Sequence, residues 1–119
     1  MNINKDLVAA SATPLVLAIL AEGESYSYSI LKRVRELSEG DLEWTDGMLY
    51  PLLHRLLRLG YVTTEWRTPS GGRRRRYYAI TDAGRAALAE QRRQWVTVTR
   101  ALDDVWRGPN WLPTALKEV

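Results

Sequence analysis

Arginine is the residue type in this chain that is best suited to bind a charged ligand. Between Arg55 and Arg93, ten arginines accompany three acidic residues, whereas from Met1 to Asp46 eight acidic residues outnumber four basic ones. The run Arg73–Arg76 directly follows the pair Gly71-Gly72. Planar guanidinium groups form paired hydrogen bonds with phosphates and with base edges. The basic middle of the chain therefore predicts a nucleic-acid partner, and a solvated arginine-rich surface is the alternative.

Other kinds of chemistry are poorly supported by the composition. The chain has no cysteine and one histidine, His54, which excludes disulfides, zinc–thiolate sites and a histidine-rich metal centre. It has no glycine-rich phosphate loop, no nucleophile elbow and no spaced set of acids with the histidine. We therefore expect no catalytic residues, no cofactor and no metal.

The apolar segments are too short for a membrane helix. The longest apolar run extends from Leu15 to Leu20, whereas a membrane span needs about 20 residues. The first residues carry both signs of charge and do not resemble a secretory signal. We therefore expect no membrane partner and a cytoplasmic location.

Three helices are predicted ahead of the arginine run. The first starts at Thr13-Pro14, or it begins nearer Lys5 and is kinked at the proline. The second spans Tyr28 to Leu37, with Leu37 on its inner face and Gly40 as a left-handed terminator. The third begins near Thr45-Asp46 and ends at Gly60.

The third helix combines a buried stripe with a polar face. The stripe consists of leucines spaced three and four apart, namely Leu49, Leu52, Leu53, Leu56 and Leu57. The opposite face carries Tyr50, His54 and Arg58, with Arg55 beside them. These side chains can donate to phosphates or to base edges in a major groove. They make this helix the candidate recognition helix, and an ordinary amphipathic helix is the alternative.

A β-hairpin with a basic tip is predicted next. Its strands are Tyr61–Arg67 and Arg75–Ile80, and the turn-forming residues 68–72 connect them. Since side chains alternate along a strand, Arg73 and Arg75 are expected on one face, and Arg74 and Arg76 on the other. The first pair is our choice for contacting phosphates or a minor groove. A solubilising edge that prevents sheet-to-sheet pairing is the alternative.

The last predicted helix is capped by Thr81 and extends to about Arg107. Its apolar residues follow an a/d heptad register that Gln91 interrupts, and they are Leu88, Trp95, Val98, Leu102 and Val105. A monomer of this size would expose this stripe, which therefore predicts a homodimer interface. The prolines at 109 and 113 stop the helix and leave a tail.

The order of elements is typical of a winged helix-turn-helix. We expect a mostly α-helical fold with a small β-hairpin and a long C-terminal dimerisation helix. Residues 1–81 would form the DNA-binding domain, residues 82–108 the dimerisation helix and residues 109–119 the tail.

Four segments resemble the PadR-type transcription regulators, and the resemblance covers about residues 7–106. They are residues 13–23 (TPLVLAILAEG), 28–34 (YSILKRV), 49–56 (LYPLLHRL) and 72–84 (GRRRRYYAITDAG). The chain differs at Ser27, where many members have glycine, and Arg74 and Arg76 fill a variable place and a lysine place of the wing. The single helix after the wing resembles the short subgroup of the family.

The resemblance implies a DNA-binding regulator and adds a phosphate contact by Tyr28, for which a half-buried packing role is the alternative. We add Lys32, a basic residue of the second helix. With the residues singled out above, the expected DNA-binding set is Tyr28, Lys32, Tyr50, His54, Arg55, Arg58, Arg73 and Arg75. The expected function is a ligand-responsive repressor that binds a pseudo-palindromic operator in double-stranded DNA as a homodimer. A winged-helix module for protein contacts or small-molecule binding, without specific DNA readout, is the alternative.

Trp95 is the candidate ligand-binding residue. Its side chain is wide for a closely packed helical seam. In multidrug-responsive members of the PadR-type family, a tryptophan at this place lines a hydrophobic pore and stacks on flat ligands. The resemblance thus implies a flat apolar effector, and an interface anchor without a ligand is the alternative. The remaining tryptophans are expected in the core or an interface, namely Trp44, Trp66, Trp106 and Trp111.

Overall fold

The computed structural model describes residues 1–111, so the end of the predicted tail, residues 112–119, lies outside the described residues. Within that range the chain forms four α-helices, three strands and one short 3₁₀ helix. The helices are α1 (Lys5–Glu22), α2 (Ser27–Leu37), α3 (Asp46–Arg58) and α4 (Asp82–Trp106). The strands are β1 (Ser25–Tyr26), β2 (Val62–Arg67) and β3 (Arg75–Ile80), and the 3₁₀ helix is Pro109–Trp111. The predicted class, mostly helical with a small antiparallel sheet, is confirmed.

Helix α1 begins at the earlier of the two predicted starts. The side chain of Asn4 caps it by accepting a hydrogen bond from the Asp6 amide at 2.8 Å. Pro14 therefore lies inside the helix and does not begin it. The helix buries one face, which consists of Ala12, Val16, Leu17, Ile19 and Leu20.

The helices share one core with the sheet. Helix α3 contributes its predicted stripe, in which Leu49, Leu52, Leu53 and Leu56 are buried and Leu57 is half-buried. Ile30 and Val34 of α2 and Val62 and Tyr78 of the sheet complete this core, together with Trp44. Leu37 was expected on the inner face but is 48% exposed, because α2 ends there and the chain turns through Gly40 at a φ of +86°.

Strand β3 is the middle strand of the sheet and pairs with both neighbours in antiparallel register. Val62 lies opposite Ile80 and Arg67 opposite Arg75 in the predicted hairpin. On the other side, Ser25 pairs with Tyr78 and Tyr26 with Tyr77. The sequence did not predict β1, because two residues are too few to show an alternating pattern.

The start of α4 is anchored to the segment between α3 and β2. Thr81 accepts a hydrogen bond from the Gly84 amide at 3.0 Å and donates to the Gly60 carbonyl at 2.6 Å, as its predicted capping role requires. Gly84 permits a close approach, since a Cβ at this position would lie 2.2 Å from the Tyr61 carbonyl oxygen. The chain divides into two compact units, Met1–Leu88 and a second that begins at Ala89. The domain assignment made from the sequence stays a prediction.

Replacing Gly84 with alanine should destabilise the N-terminal unit, although alanine normally favours a helix. The added methyl group would collide with backbone, and overpacking of this kind costs about 1–3 kcal/mol. The free energy of unfolding from a urea titration measures the effect. Gly47→Ala in the first turn of α3 is the matched control, because its nearest contact would be 3.7 Å from Thr45. Equal stability of the Gly84→Ala protein and the wild type would contradict the close packing.

Candidate nucleic-acid interface

A groove of about 660 Å³ lies between the tip of the hairpin and the exposed side of the helix-turn-helix. Four arginines, five aromatic side chains and one serine line it, namely Arg73, Arg74, Arg75, Arg76, Tyr26, Tyr28, Tyr50, Trp66, Tyr78 and Ser27. We call this feature the wing groove. It brings together residues that are far apart in the sequence, from β1, α2, α3, β2 and β3.

Each wall of the groove has a structural reason for its position. Helix α3 is capped by Thr45, whose side chain accepts from the Met48 amide at 3.3 Å. Its leucine stripe faces the core, and Tyr50, which borders the stripe, is left 43% exposed. Helix α2 begins at Ser27, immediately after the strand pair between Tyr26 and β3, so its first turn lies beside the wing.

Three of the four wing arginines stack on aromatic rings. The guanidinium carbon lies 4.9 Å from the ring centre of Trp66 for Arg74, and 4.4 Å from that of Tyr26 for Arg75. Arg76 lies 5.6 Å from the Tyr78 ring centre and donates through Nε to Thr64 at 3.0 Å. Such cation–π contacts contribute about 0.5–1 kcal/mol each at exposed sites. Guanidinium N–H groups remain for another partner, because the Nε of Arg76 is the only wing guanidinium donor that makes a side-chain hydrogen bond among the described residues.

Within residues 1–111, the wing arginines also lack acidic partners. No carboxylate of the described residues lies within 4.0 Å of the Arg73–Arg76 guanidinium groups. By contrast, Arg67 binds Glu24 and Glu65, and this hydrogen bonding raises the pKa of Arg67 and lowers that of Glu24. Positive charge is therefore neutralised at the outer end of β2 and retained in the wing groove.

The ring that supports Arg76 is itself held in the core. Tyr78 is 2% exposed, and burial raises the pKa of its phenol, which Arg76 lowers in part. The ring thus stays neutral at physiological pH and provides a fixed platform under the guanidinium.

The wing groove includes both of the arginine pairs that the sequence analysis distinguished. Strand β3 begins at Arg75, so Arg73 and Arg74 precede it and follow a turn in which the Gly72 amide donates to Pro69 at 2.8 Å. All four arginines line the wing groove, although only Arg73 and Arg75 were selected from the sequence. Trp66 was expected in the core or an interface, and its exposure of 54% in the groove excludes only the core.

The other predicted DNA-binding residues lie at different distances from the groove. Tyr28 and Tyr50 line it. Lys32, His54 and Arg58 are exposed but do not line it. The Arg55 side chain donates to Thr13 at 2.7 Å, which ties it to α1.

Several groove residues were missed from the sequence. Tyr26 and Ser27 depend on the unpredicted strand β1, and Tyr78 was not considered as a wall. The position of Trp66 could have been predicted from the register of the hairpin, because Trp66 lies opposite Arg76.

Comparisons with known proteins assign the chain to a family. A family model described as the transcriptional regulator PadR-like family matches residues 16–90. The chain belongs to this family. The family predicted from the sequence is confirmed, and so is a regulatory rather than enzymatic class.

Individual relatives agree with this assignment. The chain is 49% identical over 59 residues to the transcriptional regulator Rv3488 of Mycobacterium tuberculosis, covering 50% of this chain and 54% of that protein. A transcriptional regulator from Clostridium thermocellum has 25% identity and a TM-score of 0.76, over 84% of this chain and 97% of its own. A PadR-like regulator from Bacillus cereus shares the fold, with 24% identity, a TM-score of 0.77, and coverage of 87% and 99%. The chain is thus a DNA-binding transcriptional regulator with a winged-helix fold.

The PadR-like chain carries a second feature on α4. Between Ala89 and Trp106, the predicted stripe leaves Val98, Leu102 and Val105 exposed, while Trp95 is half-exposed. Leu88, the first residue of the stripe, packs against the core of the N-terminal unit. The role of this stripe as a dimer interface stays a prediction.

Two further observations concern metals and membranes. Among residues 1–111, no three acidic or histidine side chains are grouped closely enough to hold a metal ion. No helix in the described part of this regulator is both long and apolar enough to cross a membrane.

Proposed function

We propose that this regulator is a homodimeric, sequence-specific repressor whose wing groove faces DNA. The observation that carries this proposal is the set of four arginines beside the exposed face of α3, which have no acidic partner among the described residues. Most of the affinity of a DNA-binding protein comes from neutralised phosphates and the release of their counterions. A guanidinium group that stacks on a ring but is not ion-paired can bind a phosphate without first breaking a salt bridge.

Helix α3 and the wing arginines would contact different parts of the DNA. Helix α3 would enter the major groove, where Tyr50, His54 and Arg58 are exposed for contact with base edges. The wing arginines would contact phosphates or a neighbouring minor groove. Tyr28 and Lys32 of α2 would add phosphate contacts, and Arg55 would add charge from its position against α1.

Dimerisation would supply the symmetry of the operator. The exposed apolar stripe of α4 would pair with its copy in a second subunit, which removes that surface from water. Two recognition helices related by a two-fold axis would read a pseudo-palindrome with half-sites about one helical turn apart. A dimer bound at a promoter would repress transcription by occupying it, and such a protein would act in the cytoplasm.

Neutralising the wing should weaken binding to every DNA sequence. We expect Arg73→Ala with Arg75→Ala to reduce the slope of log affinity against log salt by about 0.9 for each phosphate that the variant no longer neutralises. The same reduction is expected for Arg74→Ala with Arg76→Ala, because those side chains line the same groove. Fluorescence anisotropy with a duplex taken from upstream of its own gene, at several salt concentrations, measures both the affinity and the slope.

Arg92→Ala with Arg93→Ala is the control for this experiment, since it removes the same net charge from α4. It should leave the salt slope close to that of the wild type. Wild-type affinity in both wing variants would refute the assignment of the groove. Absence of salt-dependent DNA binding in the wild type would favour the alternative, a winged-helix module for protein contacts.

A charge in the α4 stripe should prevent dimerisation. Leu102→Asp would place a carboxylate in the proposed apolar seam, so we expect monomers or aggregates at micromolar concentration in analytical ultracentrifugation. Val96→Asp is the matched control, because Val96 and Leu102 are both 41% exposed but Val96 lies off the stripe. A wild-type monomer, or equal effects of the two substitutions, would contradict the proposed interface.

A flat apolar effector is proposed to bind beside Trp95 and to weaken operator binding. An indole at an a position of the seam would hold two helices apart, and the gap would have aromatic walls for stacking. A positive charge on the ligand would strengthen its attraction to the ring face. The ligand would alter DNA affinity only through its different affinities for two dimer arrangements, typically 1–3 kcal/mol.

Titration with planar dyes should therefore show tighter binding to the wild type than to Trp95→Ala. Dye polarisation is the appropriate signal, because four other tryptophans also emit. Trp106→Ala is the control for removal of an indole from the same helix. Equal dye affinity in the wild type and Trp95→Ala would exclude Trp95 from the site, and unchanged operator affinity at saturating dye would exclude the switch.

A further inference from the structure

A side-chain hydrogen bond joins the two helices of the helix-turn-helix inside the wing groove. The Ser27 hydroxyl and the Tyr50 hydroxyl lie 3.1 Å apart, and either oxygen can be the donor. Ser27 is the first residue of α2, and Tyr50 lies on the exposed face of α3. In the part of the chain that the structure describes, no other side-chain hydrogen bond links α2 to α3.

We propose that Ser27 is a positioning residue that fixes the Tyr50 phenol for base readout and so sets the sequence specificity of the regulator. This inference rests on the proposed function, because it requires α3 to face DNA. Ser27 would act through Tyr50 and would not itself read a base.

The need for such a residue follows from the surroundings of Tyr50. The leucine stripe of α3 fixes the helix against the core, but the Tyr50 ring lies at the edge of this stripe and is not among the buried residues. A ring that is 43% exposed on a helix surface has several rotamers available. If the Tyr50 side chain is already restricted before DNA binds, less conformational entropy is lost on binding. This gain in affinity applies only to DNA contacts that require one orientation of the ring.

Ser27 is well fixed to perform this role. The preceding residue, Tyr26, is paired with Tyr77 of the middle strand, and its ring packs edge-on against that of Tyr77 with 5.4 Å between ring centres. Arg75 of the wing stacks on the same Tyr26 ring. The backbone at Ser27 is therefore held next to the sheet, and its hydroxyl reaches Tyr50.

The hydrogen bond also determines what Tyr50 can offer to a base. If Ser27 donates to the phenol oxygen, the phenol O–H is left to donate to an acceptor such as guanine N7 or thymine O4. If Tyr50 donates to Ser27, the phenol oxygen is left as an acceptor. In either case removal of the serine hydroxyl changes the geometry of Tyr50 without changing the net charge of the groove.

The test uses a duplex that the wild-type protein selects from a random-sequence library and a scrambled duplex of equal composition. For the Ser27→Ala protein we expect the ratio of the two affinities to fall by about 3- to 10-fold, the range for removal of one hydrogen bond. Affinity for the scrambled duplex and the salt slope should stay at wild-type values. Ser27→Thr, which keeps a hydroxyl, should restore most of the ratio.

A double-mutant cycle with Tyr50→Phe tests whether Ser27 acts through Tyr50. If it does, the double variant should lose no more specificity than the more damaging single variant. Additive losses of specificity would overturn the proposal. Equal weakening of both duplexes with a smaller salt slope would also overturn it, since Ser27 would then be a phosphate ligand.

The remaining outcomes separate this inference from the proposed function. A wild-type protein that selects a sequence, together with an unchanged ratio in Ser27→Ala, would refute only the role of Ser27. A wild-type protein that binds both duplexes equally would contradict sequence-specific regulation and the positioning role with it. Thermal unfolding of each variant shows whether the fold is intact.

Discussion

The position of β3 as the middle strand is the constraint on which the wing groove depends. Its backbone is paired with β2 on one side and with β1 on the other. A shift of its register would break both pairings and would turn its side chains to the other face of the sheet. Tyr78 is inserted into the helical core, which fixes the strand relative to α3. The same strand carries arginine at its start, close to the first turn of α2. The core of the N-terminal unit thus determines where the positive charge lies.

The difference between ion-paired and unpaired arginines among the described residues explains why the wing groove is suited to bind a polyanion. Arg33 is paired with Glu22 and Glu36, and Arg67 with Glu24 and Glu65, so the charges of these two arginines are already neutralised within the protein. Exposed ion pairs of this kind contribute little to the free energy of unfolding. In the wing, aromatic rings take the place of carboxylates. Stacking orders the side chains while their full charge and their hydrogen-bond donors remain.

Much of this arrangement could be predicted from the sequence, and the failures have physical causes. The leucine spacing of α3 predicts a helix, and the turn-forming residues after Arg67 predict a hairpin. Both elements appear where they were expected. Strand β1 has no periodicity of its own and forms because β3 provides a partner. Alternation along β3 did not reveal that all four wing arginines line one groove, because the groove also includes residues of α2 and α3. The contact between Ser27 and Tyr50 depends on how α2 packs against α3, which spacing along one helix does not reveal.

The central claim, that the wing groove faces DNA, is tested most directly by the indole N–H resonances of the five tryptophans during a titration with duplex DNA. Trp66 lies in the groove under Arg74, whereas Trp44 is 6% exposed in the core. Single Trp→Phe variants assign the signals. The account predicts that the Trp66 resonance shifts or broadens with added DNA while that of Trp44 does not move. DNA binding that leaves the Trp66 resonance unchanged would contradict it.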